Sequence, residues 1–308
     1  MALPEHLQTL AREVSNWGRW GNDDRRGTLN LIDHAAIARG IAAARQGKVF
    51  SLAIPFDEDG PQTGEIPGRT NPEREMLAVN LAYTGDVNDF CTSDDKLTMG
   101  VQAATHWDTL AHVSYGGKLF NGVSAAVVDA SGAHQFGAET LGPIVTRGVL
   151  LDVARACGVE HFDDNHAITG SDLDAAEALA AVDVAPGDVV CVRTGQMHFL
   201  RLGETARFSD PSPGLSTRSI EWLRRRDVAA VVTDTLVFEC WPCEDPAVLL
   251  PVHMIHLRDI GLMQGQNWAL DELAADCAAD GQYDFLLVAT PLPLTRAVGA
   301  PLAPTAIK

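Results

Sequence analysis

Four side chains that can bind or activate a metal ion lie close together between residues 102 and 112. They are the amide of Gln102, the imidazoles of His106 and His112, and the carboxylate of Asp108. The intervals between them are all even, and residues at even intervals on a β-strand share one face. Imidazole nitrogens and carboxylate oxygens are the usual protein ligands of divalent first-row metals. The segment therefore predicts a metal site on a strand, with one group left to act as a base on activated water.

The neighbouring sequence favours a site over a chance pattern. In a chain with ten histidines, this pattern of His106, Asp108 and His112 also arises from capping or from hydrogen bonding in the core. A polar, Gly-rich loop follows the motif, however, and loops on a rigid scaffold often form the walls of active sites. Phe120 and Asn121 in this loop are predicted pocket residues because of their proximity to the motif.

The segment from Thr105 to His112 resembles the H-x-G-T-H-x-D-x-P-x-H signature of the cyclase-like metal-dependent hydrolases. That group includes bacterial kynurenine formamidase and isatin hydrolase. The residues that match the signature are Thr105, His106, Asp108 and His112. The chain departs from it at three positions, since the family's first His, its Gly and its Pro fall on Gln102, Ala104 and Leu110.

The resemblance to the longer branch of this family extends over roughly the whole chain, in order. The similar segments are Trp20 to Asp24, Gly27 to Asn30, Arg147 to Asp152, Val192 to Gly195, Asp234-Thr235 and Ala289 to Ile307. The resemblance implies a mixed α/β fold of the swivelling β/β/α type, in which helices surround a central, barrel-like mixed sheet. It also implies one domain over residues 1–308, with an N-terminal helical segment at 1–47, and assembly into homodimers or homotetramers.

The same resemblance implies roles for the four residues of the motif. Gln102, His106 and Asp108 correspond to the ligands of one divalent ion, and His112 corresponds to the catalytic base. An amide oxygen in place of an imidazole makes the ligand set harder, which favours Mn²⁺ and leaves Zn²⁺ as the alternative. One carboxylate leaves a net positive charge on the ion, which lowers the pKa of a bound water.

Some relatives hold a second metal through a His and a Glu from the C-terminal half of the chain. The matching region here contains His253 and His256, and the family's Glu falls on Gln266. Loss of that carboxylate predicts a mononuclear site. His253 is then left to line the pocket, to bind an ion weakly, or to serve in packing and hydrogen bonding.

The composition narrows the class of protein. The chain has 308 residues, is 46% hydrophobic and carries a formal charge of −18, so it can bury a large core and does not favour nucleic acid or anionic membranes as partners. Arg224-Arg225-Arg226 is the only basic run, and it is predicted at a helix end.

The N-terminus lacks the pattern of a secretory signal, which predicts a cytoplasmic protein. The close pair Cys240 and Cys243 is interpreted as two reduced thiols, because no second such pair completes a zinc site.

Hydrophobic periodicity predicts alternating strands and helices in the second half of the chain. Expected helices are 7–17, 33–46 with Asp33 as N-cap, 171–181 with Ser171 as cap, 217–225, 247–263 and 270–279. Expected strands are 49–55, 77–83, 97–113, 149–153, 189–193, 228–232 and 285–289. Residues 57–71 are rich in Gly, Pro and charge and are predicted to form a long loop, which in a folded domain is usually functional or mobile.

These observations predict a hydrolase that opens a small cyclic or acyl amide or ester with metal-activated water. A lyase, dehydratase or cyclase acting on a small carbonyl compound would use the same Lewis acid. A non-catalytic binding protein on the same fold is the third alternative, since Gln102 and Gln266 both depart from the family pattern. Walker and Rossmann glycine patterns and the G-x-S-x-G elbow do not occur in the sequence.

Overall fold

Nine strands form one mixed sheet in the computed structural model, which describes residues 3–308. The strands of the chain are β1 (Val49–Ser51), β2 (Glu73–Ala82), β3 (Cys91–Thr98), β4 (His106–Asp108), β5 (Val128–Asp129), β6 (Gly132–Ala133), β7 (Val145–Asp152), β8 (Ala167–Ile168), β9 (Val189–Arg193), β10 (Gly214–Leu215), β11 (Ala230–Thr233), β12 (Met263–Gln266), β13 (Asp284–Val288), β14 (Gly299–Pro301) and β15 (Thr305–Ile307). The sheet has the order β1-β15-β13-β7-β9-β11-β12-β4-β14. It curls into a half-barrel.

The centre of the sheet is parallel and its flanks are antiparallel. Strands β7, β9, β11 and β12 run parallel to one another, and β4 joins β12 antiparallel. The middle strands are apolar on both faces because helices or loops cover both sides of a parallel sheet. In β9, Val190 and Val192 pack into one core cluster and Cys191 into the other. This alternation shows that the sheet separates two hydrophobic layers.

Helices cover the sheet, and their bounds follow from local capping signals. They are α1 (Glu5–Val14), α2 (His34–Ala43), α3 (Val153–Ala156), α4 (Gly170–Ala180), α5 (Met197–Arg201), α6 (Thr205–Ser209), α7 (Ile220–Arg225), α8 (Pro251–Met254) and α9 (Asp271–Asp280). Asp33 caps α2, as predicted, by accepting a hydrogen bond from Ala36 N. The predicted cap Ser171 is wrong by two residues, since Thr169 caps α4 and pairs with Asp172 in a capping box. Of the helices at residues 3–308, none combines the length and the apolar character that crossing a bilayer requires.

Two sequence predictions in the region of the site are wrong in informative ways. The helix expected over 247–263 is broken up into α8, a π-helical segment at Ile255–Ile260 and the start of β12. The strand expected over 97–113 is also interrupted, because β3 ends at Thr98 and β4 covers three residues. In both places the chain turns so that β4 and β12 can pair, which is a non-local requirement.

Strands β2 and β3 form a separate two-stranded ribbon. The ribbon follows the predicted loop at 57–71 and leads into the turns before β4. Most side chains of the two strands are exposed on both faces, and the ribbon with its connecting turn at 83–90 exposes large apolar side chains such as Leu77, Tyr83 and Val87. The ribbon therefore projects from the body of the protein and connects at its base to the segment that holds the motif.

Candidate active site

Strand β4 places His106 and Asp108 on one face of the sheet, deep in the protein. Both side chains are buried. The register with β12 sets Gln266 opposite His106 and Gln264 opposite Asp108, so that the four polar groups face the same space. Trp107 points the other way, donates from Nε1 to Ala289 O at 2.9 Å, and packs edge-on against Trp268. The even-spacing argument is thus confirmed for residues 106 and 108, and Trp107 between them lies in the core.

Gln102 and His112 reach the same place from turns, not from the strand. Gln102 Nε2 donates to His112 Nδ1 at 3.4 Å, so the two ends of the motif meet. Gln102 approaches the backbone of Gly299 so closely that a Cβ there would lie 2.5 Å from Nε2. A glycine at 299 is therefore required for this position of Gln102. The single long strand predicted here is wrong, although the four side chains do come together.

Two polar atoms in this cluster are buried without any hydrogen-bond partner. They are His106 Nε2 and Asp108 Oδ1, and they lie 3.6 Å apart. His106 Nδ1 is 2.7 Å from Ala104 O, to which it donates, so the neutral ring presents its Nε2 lone pair toward Asp108. A histidine that ligates a metal is typically held in this way through its other nitrogen. The donor set therefore fits a divalent cation at this position.

The remaining oxygen of Asp108 is held by two amides. Asp108 Oδ2 accepts from Gln266 Nε2 at 2.8 Å and from Gln264 Nε2 at 3.4 Å. Burial would raise the pKa of Asp108, but the surrounding imidazoles of His112, His106 and His253 outweigh burial and hold this pKa well below its ordinary value. Asp108 is thus a fixed carboxylate with one oxygen committed to amides and one oxygen free.

His112 is the member of the motif that solvent reaches. Its side chain is 21% exposed, and its Nε2 lies 3.6 Å from Asp108 Oδ1. Burial lowers the pKa of His112 against the opposing effect of Asp108, and the positive charge of Arg69 lowers it further. A neutral imidazole at the open side of the cluster accepts a proton from water at Nδ1 when water replaces the 3.4 Å hydrogen bond from Gln102.

His253 belongs to the cluster through a chain of hydrogen bonds. Glu239 Oε1 lies 2.6 Å from His253 Nδ1 and also accepts from His253 N at 2.9 Å. A carboxylate only accepts, so Nδ1 carries the proton and the Nε2 lone pair faces Gln266 Nε2 at 3.3 Å. Gln266 therefore donates to both Asp108 and His253. The side-chain N–H group of Gln266 therefore occupies the position at which a second cation would need a ligand with a lone pair.

His256 lies beside this network and takes no part in it. It is fully buried against Phe238, with 5.6 Å between the ring centroids, and neither ring nitrogen has a partner among residues 3–308. Burial, reinforced by the charge of His253, lowers the pKa of His256 to about 3. His256 is therefore a neutral core residue.

Three residues of the site were not predicted from the sequence. Gln264 and Glu239 contact Asp108 and His253, and Arg69 brings a positive charge near both His112 and Asp108. Arg69 is half-buried in the loop at 57–71, and burial lowers its pKa while Asp108 opposes that effect. Its side chain forms no ion pair with any other residue of the described chain. The signal for Arg69 was the unusual length of its loop; Glu239 gave no signal beyond its acidity.

The predicted pocket residues Phe120 and Asn121 have structural contacts instead. Phe120 is fully buried under Gly261, where a Cβ would lie 2.5 Å from its ring. Asn121 accepts from Gly18 N at 2.7 Å and donates to Gly21 O at 2.9 Å. Neither residue has a hydrogen bond to the cluster. Their contacts fix the N-terminal segment.

The chain is similar to a known family and to solved structures. The family model named Cyclase matches residues 50–240. A solved structure described as a novel cyclase is 36% identical, with a TM-score of 0.88, and the match covers 97% of this chain and 99% of that one. A comparison with curated proteins gave no match.

Two more distant structures share the fold. Isatin hydrolase A from Labrenzia aggregata, bound to benzyl benzoate, is 19% identical with a TM-score of 0.63, over 88% of this chain and 96% of that one. A predicted metal-dependent hydrolase from Bacillus stearothermophilus is 18% identical with a TM-score of 0.53, over 84% and 97% of the two chains.

Proposed function

We propose that this chain, which belongs to the Cyclase family, is a metal-dependent hydrolase of small cyclic or acyl amides or esters. The observation that carries the proposal is the pair of buried, unpartnered donors, His106 Nε2 and Asp108 Oδ1, facing each other across 3.6 Å. The descriptions of the structural neighbours as isatin hydrolase and as a metal-dependent hydrolase support it. The family resemblance recognised in the sequence is confirmed.

One divalent ion would be held by three residues of the motif. His106 and Asp108 would supply Nε2 and Oδ1, and Gln102 would supply its amide oxygen, because its Nε2 already bonds to His112. When bound, the ion polarises a carbonyl and lowers the pKa of water. We favour Mn²⁺ over Zn²⁺, since two of the three donors are oxygens.

His112 would carry the proton through the reaction. Its imidazole takes a proton at Nδ1 from the attacking water, which replaces the 3.4 Å hydrogen bond from Gln102, and the oxygen of that water forms a bond to the carbonyl carbon. The carbon–nitrogen or carbon–oxygen bond then breaks, and His112 returns the proton to the leaving atom. The exposed side of His112 is the direction from which a small substrate would enter.

Arg69 would position the substrate beside His112. It brings a positive charge close to His112 and forms no ion pair within residues 3–308. A guanidinium donates to a carbonyl or carboxylate oxygen in a fixed fork geometry. We therefore expect a substrate that carries a second oxygen acceptor near its scissile bond.

A lyase or cyclase reaction is the second candidate. Two structural neighbours are described as a novel cyclase and as a potential metal-dependent hydrolase with cyclase activity, and the same donor set would polarise a carbonyl in either reaction. The mass of the product separates the two candidates, because hydrolysis adds one water to the substrate whereas dehydration or cyclisation removes one.

Metal analysis combined with a substrate screen tests the proposal. The purified protein, loaded with Mn²⁺ or Zn²⁺ and desalted, should retain one equivalent and hydrolyse at least one member of a panel of cyclic amides, formanilides and lactones. Asp108→Ala should lose the ion, whereas His112→Ala should retain it and lose roughly 10²–10⁴-fold in kcat. Retention of the ion by Asp108→Ala would refute the ligand assignment. Absence of both ion and activity in the unmodified protein would favour a binding protein.

We also propose that the ribbon of β2 and β3 joins two copies of the chain. Its large exposed apolar side chains are Met76, Leu77, Val79, Leu81, Tyr83, Val87, Phe90 and Leu97. An extended exposed apolar surface of this kind marks a protein–protein contact. A two-stranded ribbon is also only marginally stable alone in water. A second copy of the chain is the favoured partner, because an isologous contact packs this apolar surface against the same surface of the other copy. The contact is made by uncharged side chains, so the strong negative charge of the chain does not oppose it directly.

The oligomeric state tests this interface. Light scattering after gel filtration should give a dimer or a multiple of it, and Leu77→Lys combined with Tyr83→Lys should give a monomer. Val49→Lys is the control, because Val49 is equally exposed but lies on β1, outside the ribbon. A monomeric unmodified protein, or a double variant that stays dimeric, would contradict the proposal.

A further inference from the structure

A second group of metal-binding side chains lies apart from the candidate active site. Cys157, His166 and Asp172 each offer one donor atom, and these three atoms lie within 4.8 Å of one another. Cys157 follows the last turn of α3, His166 directly precedes β8, and Asp172 lies in the first turn of α4. None of the three contacts His106, Asp108 or their partners. The group is therefore a separate cluster, independent of the motif at residues 102–112.

The carboxylate of Asp172 is held with one oxygen free. Its Oδ2 accepts from both the backbone N and the side-chain Oγ1 of Thr169 at 2.7 Å, which completes the capping box of α4. Its Oδ1 is left over and lies 3.7 Å from His166 Nε2. The cap thus fixes the orientation of the carboxylate and points the second oxygen at the imidazole.

The imidazole of His166 is fixed in the same way. Its ring stacks on Phe162, with 4.3 Å between centroids and an interplanar angle of 4°. Its Nε2 is buried and has no hydrogen-bond partner in the described chain. A buried, unpartnered nitrogen that faces a free carboxylate oxygen indicates a missing donor or cation between them.

Cys157 completes the donor set. Its thiol is exposed, so an ion from solution can reach the group. A thiolate, an imidazole and a carboxylate together suit Zn²⁺, and the ligand bonds of about 2.0–2.3 Å require the three donors to close in by roughly 1 Å.

We propose that Cys157, His166 and Asp172 form a peripheral Zn²⁺ site that links the end of α3, the segment before β8 and the start of α4. The ion is held by three protein ligands and one water, on the exposed side of Cys157. Because the site joins the two ends of the chain segment from 157 to 172, its occupancy stabilises the packing of α3 against α4. It is a stabilising site, and it does not contribute to the reaction at His112.

Cobalt titration distinguishes this site from the catalytic one. Co²⁺ bound to a thiolate gives an intense near-ultraviolet charge-transfer band, and the donor set at Gln102, His106 and Asp108 contains no sulfur. Titration of metal-free protein should therefore give a band that saturates at one equivalent of thiolate-bound ion. Cys157→Ser should abolish the band, whereas Cys91→Ser, which removes another accessible thiol on β3, should leave it intact.

Two further measurements make the outcome decisive. His166→Ala should keep the fold, judged by circular dichroism, and weaken cobalt and zinc binding at this site by at least tenfold. Asp108→Ala should leave the thiolate band unchanged, since it affects only the catalytic ligands. A titration without the band, or a band that survives Cys157→Ser, would overturn the proposal. Neither result would bear on the catalytic ion, which is assayed separately by Asp108→Ala.

Discussion

Replacing Gln266 by Glu tests why the site should hold a single catalytic ion. In the structure, the Gln266 amide donates to Asp108 Oδ2 at 2.8 Å and faces His253 Nε2 at 3.3 Å. The change to Glu removes that donor and places a second carboxylate between Asp108 and an imidazole. The two carboxylates and the His253 imidazole would then surround one position, and they are the kinds of ligand that a second divalent ion needs.

The size of the effect follows from the distance between the two carboxylates. Two negative charges about 2.8 Å apart at an effective dielectric constant of about 20 repel by roughly 6 kcal/mol. This repulsion is comparable with the whole stability of a typical domain, so the variant must take up either a proton or a cation. His253 Nδ1 is already committed to Glu239, and the variant removes the donor to Nε2, so the Nε2 lone pair becomes available to bind the cation.

Metal stoichiometry and thermal unfolding report the outcome. Gln266→Glu should bind a second equivalent of Mn²⁺ or Zn²⁺, and its Tm should rise with added metal far more than that of the unmodified protein. Binding should tighten with rising pH, since the ion displaces the shared proton. Gln264→Glu is the matched control, because Gln264 also donates to Asp108 but does not face His253. Tight binding of two ions by the unmodified protein, or of one by Gln266→Glu, would refute the reasoning.

Three further predictions concern residues around the motif. Arg69→Gln should raise KM by roughly 10–100-fold with a smaller effect on kcat, partly restored by Arg69→Lys, in steady-state assays. Gly299→Ala should displace Gln102 from His112, because the new Cβ would lie 2.5 Å from its Nε2, and a chelator competition should show weaker metal binding. His256 stays neutral in the fold, with a pKa of about 3, but becomes charged in the unfolded chain below about pH 6.5, so unfolding binds a proton and stability falls as the pH falls. Urea unfolding of His256→Phe should accordingly lose about 2–3 kcal/mol less between pH 7 and pH 4.5 than the unmodified protein.

The sequence predicts correctly those site residues whose orientation depends only on their spacing along one strand. His106 and Asp108 share a face because they are two residues apart on a strand, and Trp107 faces the core for the same reason. The approach of Gln102 to His112 was predicted correctly but for the wrong reason, since turns bring them together. Their positions depend on Gly299, which lies almost two hundred residues further along the chain.

The other residues of the site are positioned by pairing between strands that are distant in the sequence, which a local sequence pattern does not predict. The apolar periodicity of 247–263 favours a helix, yet β12 begins at Met263 because β4 and β11 both require a neighbour. That pairing is what brings Gln264 and Gln266 to Asp108. Glu239 likewise reaches His253 only because the chain reverses between them. The strand at Val189–Arg193, by contrast, was predicted with its correct bounds, since it is continuously apolar between clear turn signals.

Neutral amides replace charged or imidazole ligands at two family positions, and the contacts of these amides give the departures a common meaning. Gln102 bonds to the proposed base, and Gln266 bonds to the one carboxylate and to the one spare imidazole. Gln266 satisfies a carboxylate oxygen and an imidazole nitrogen that a second metal would otherwise bind, without adding charge. Gln102 and Gln266 depart from the family sequence, and such departures could indicate a lost activity. They lie, however, in a hydrogen-bonded site that keeps a free carboxylate oxygen on Asp108 and a free imidazole nitrogen on His106. Such a site is better explained by selection for one catalytic ion than by decay of an enzyme into a binding protein.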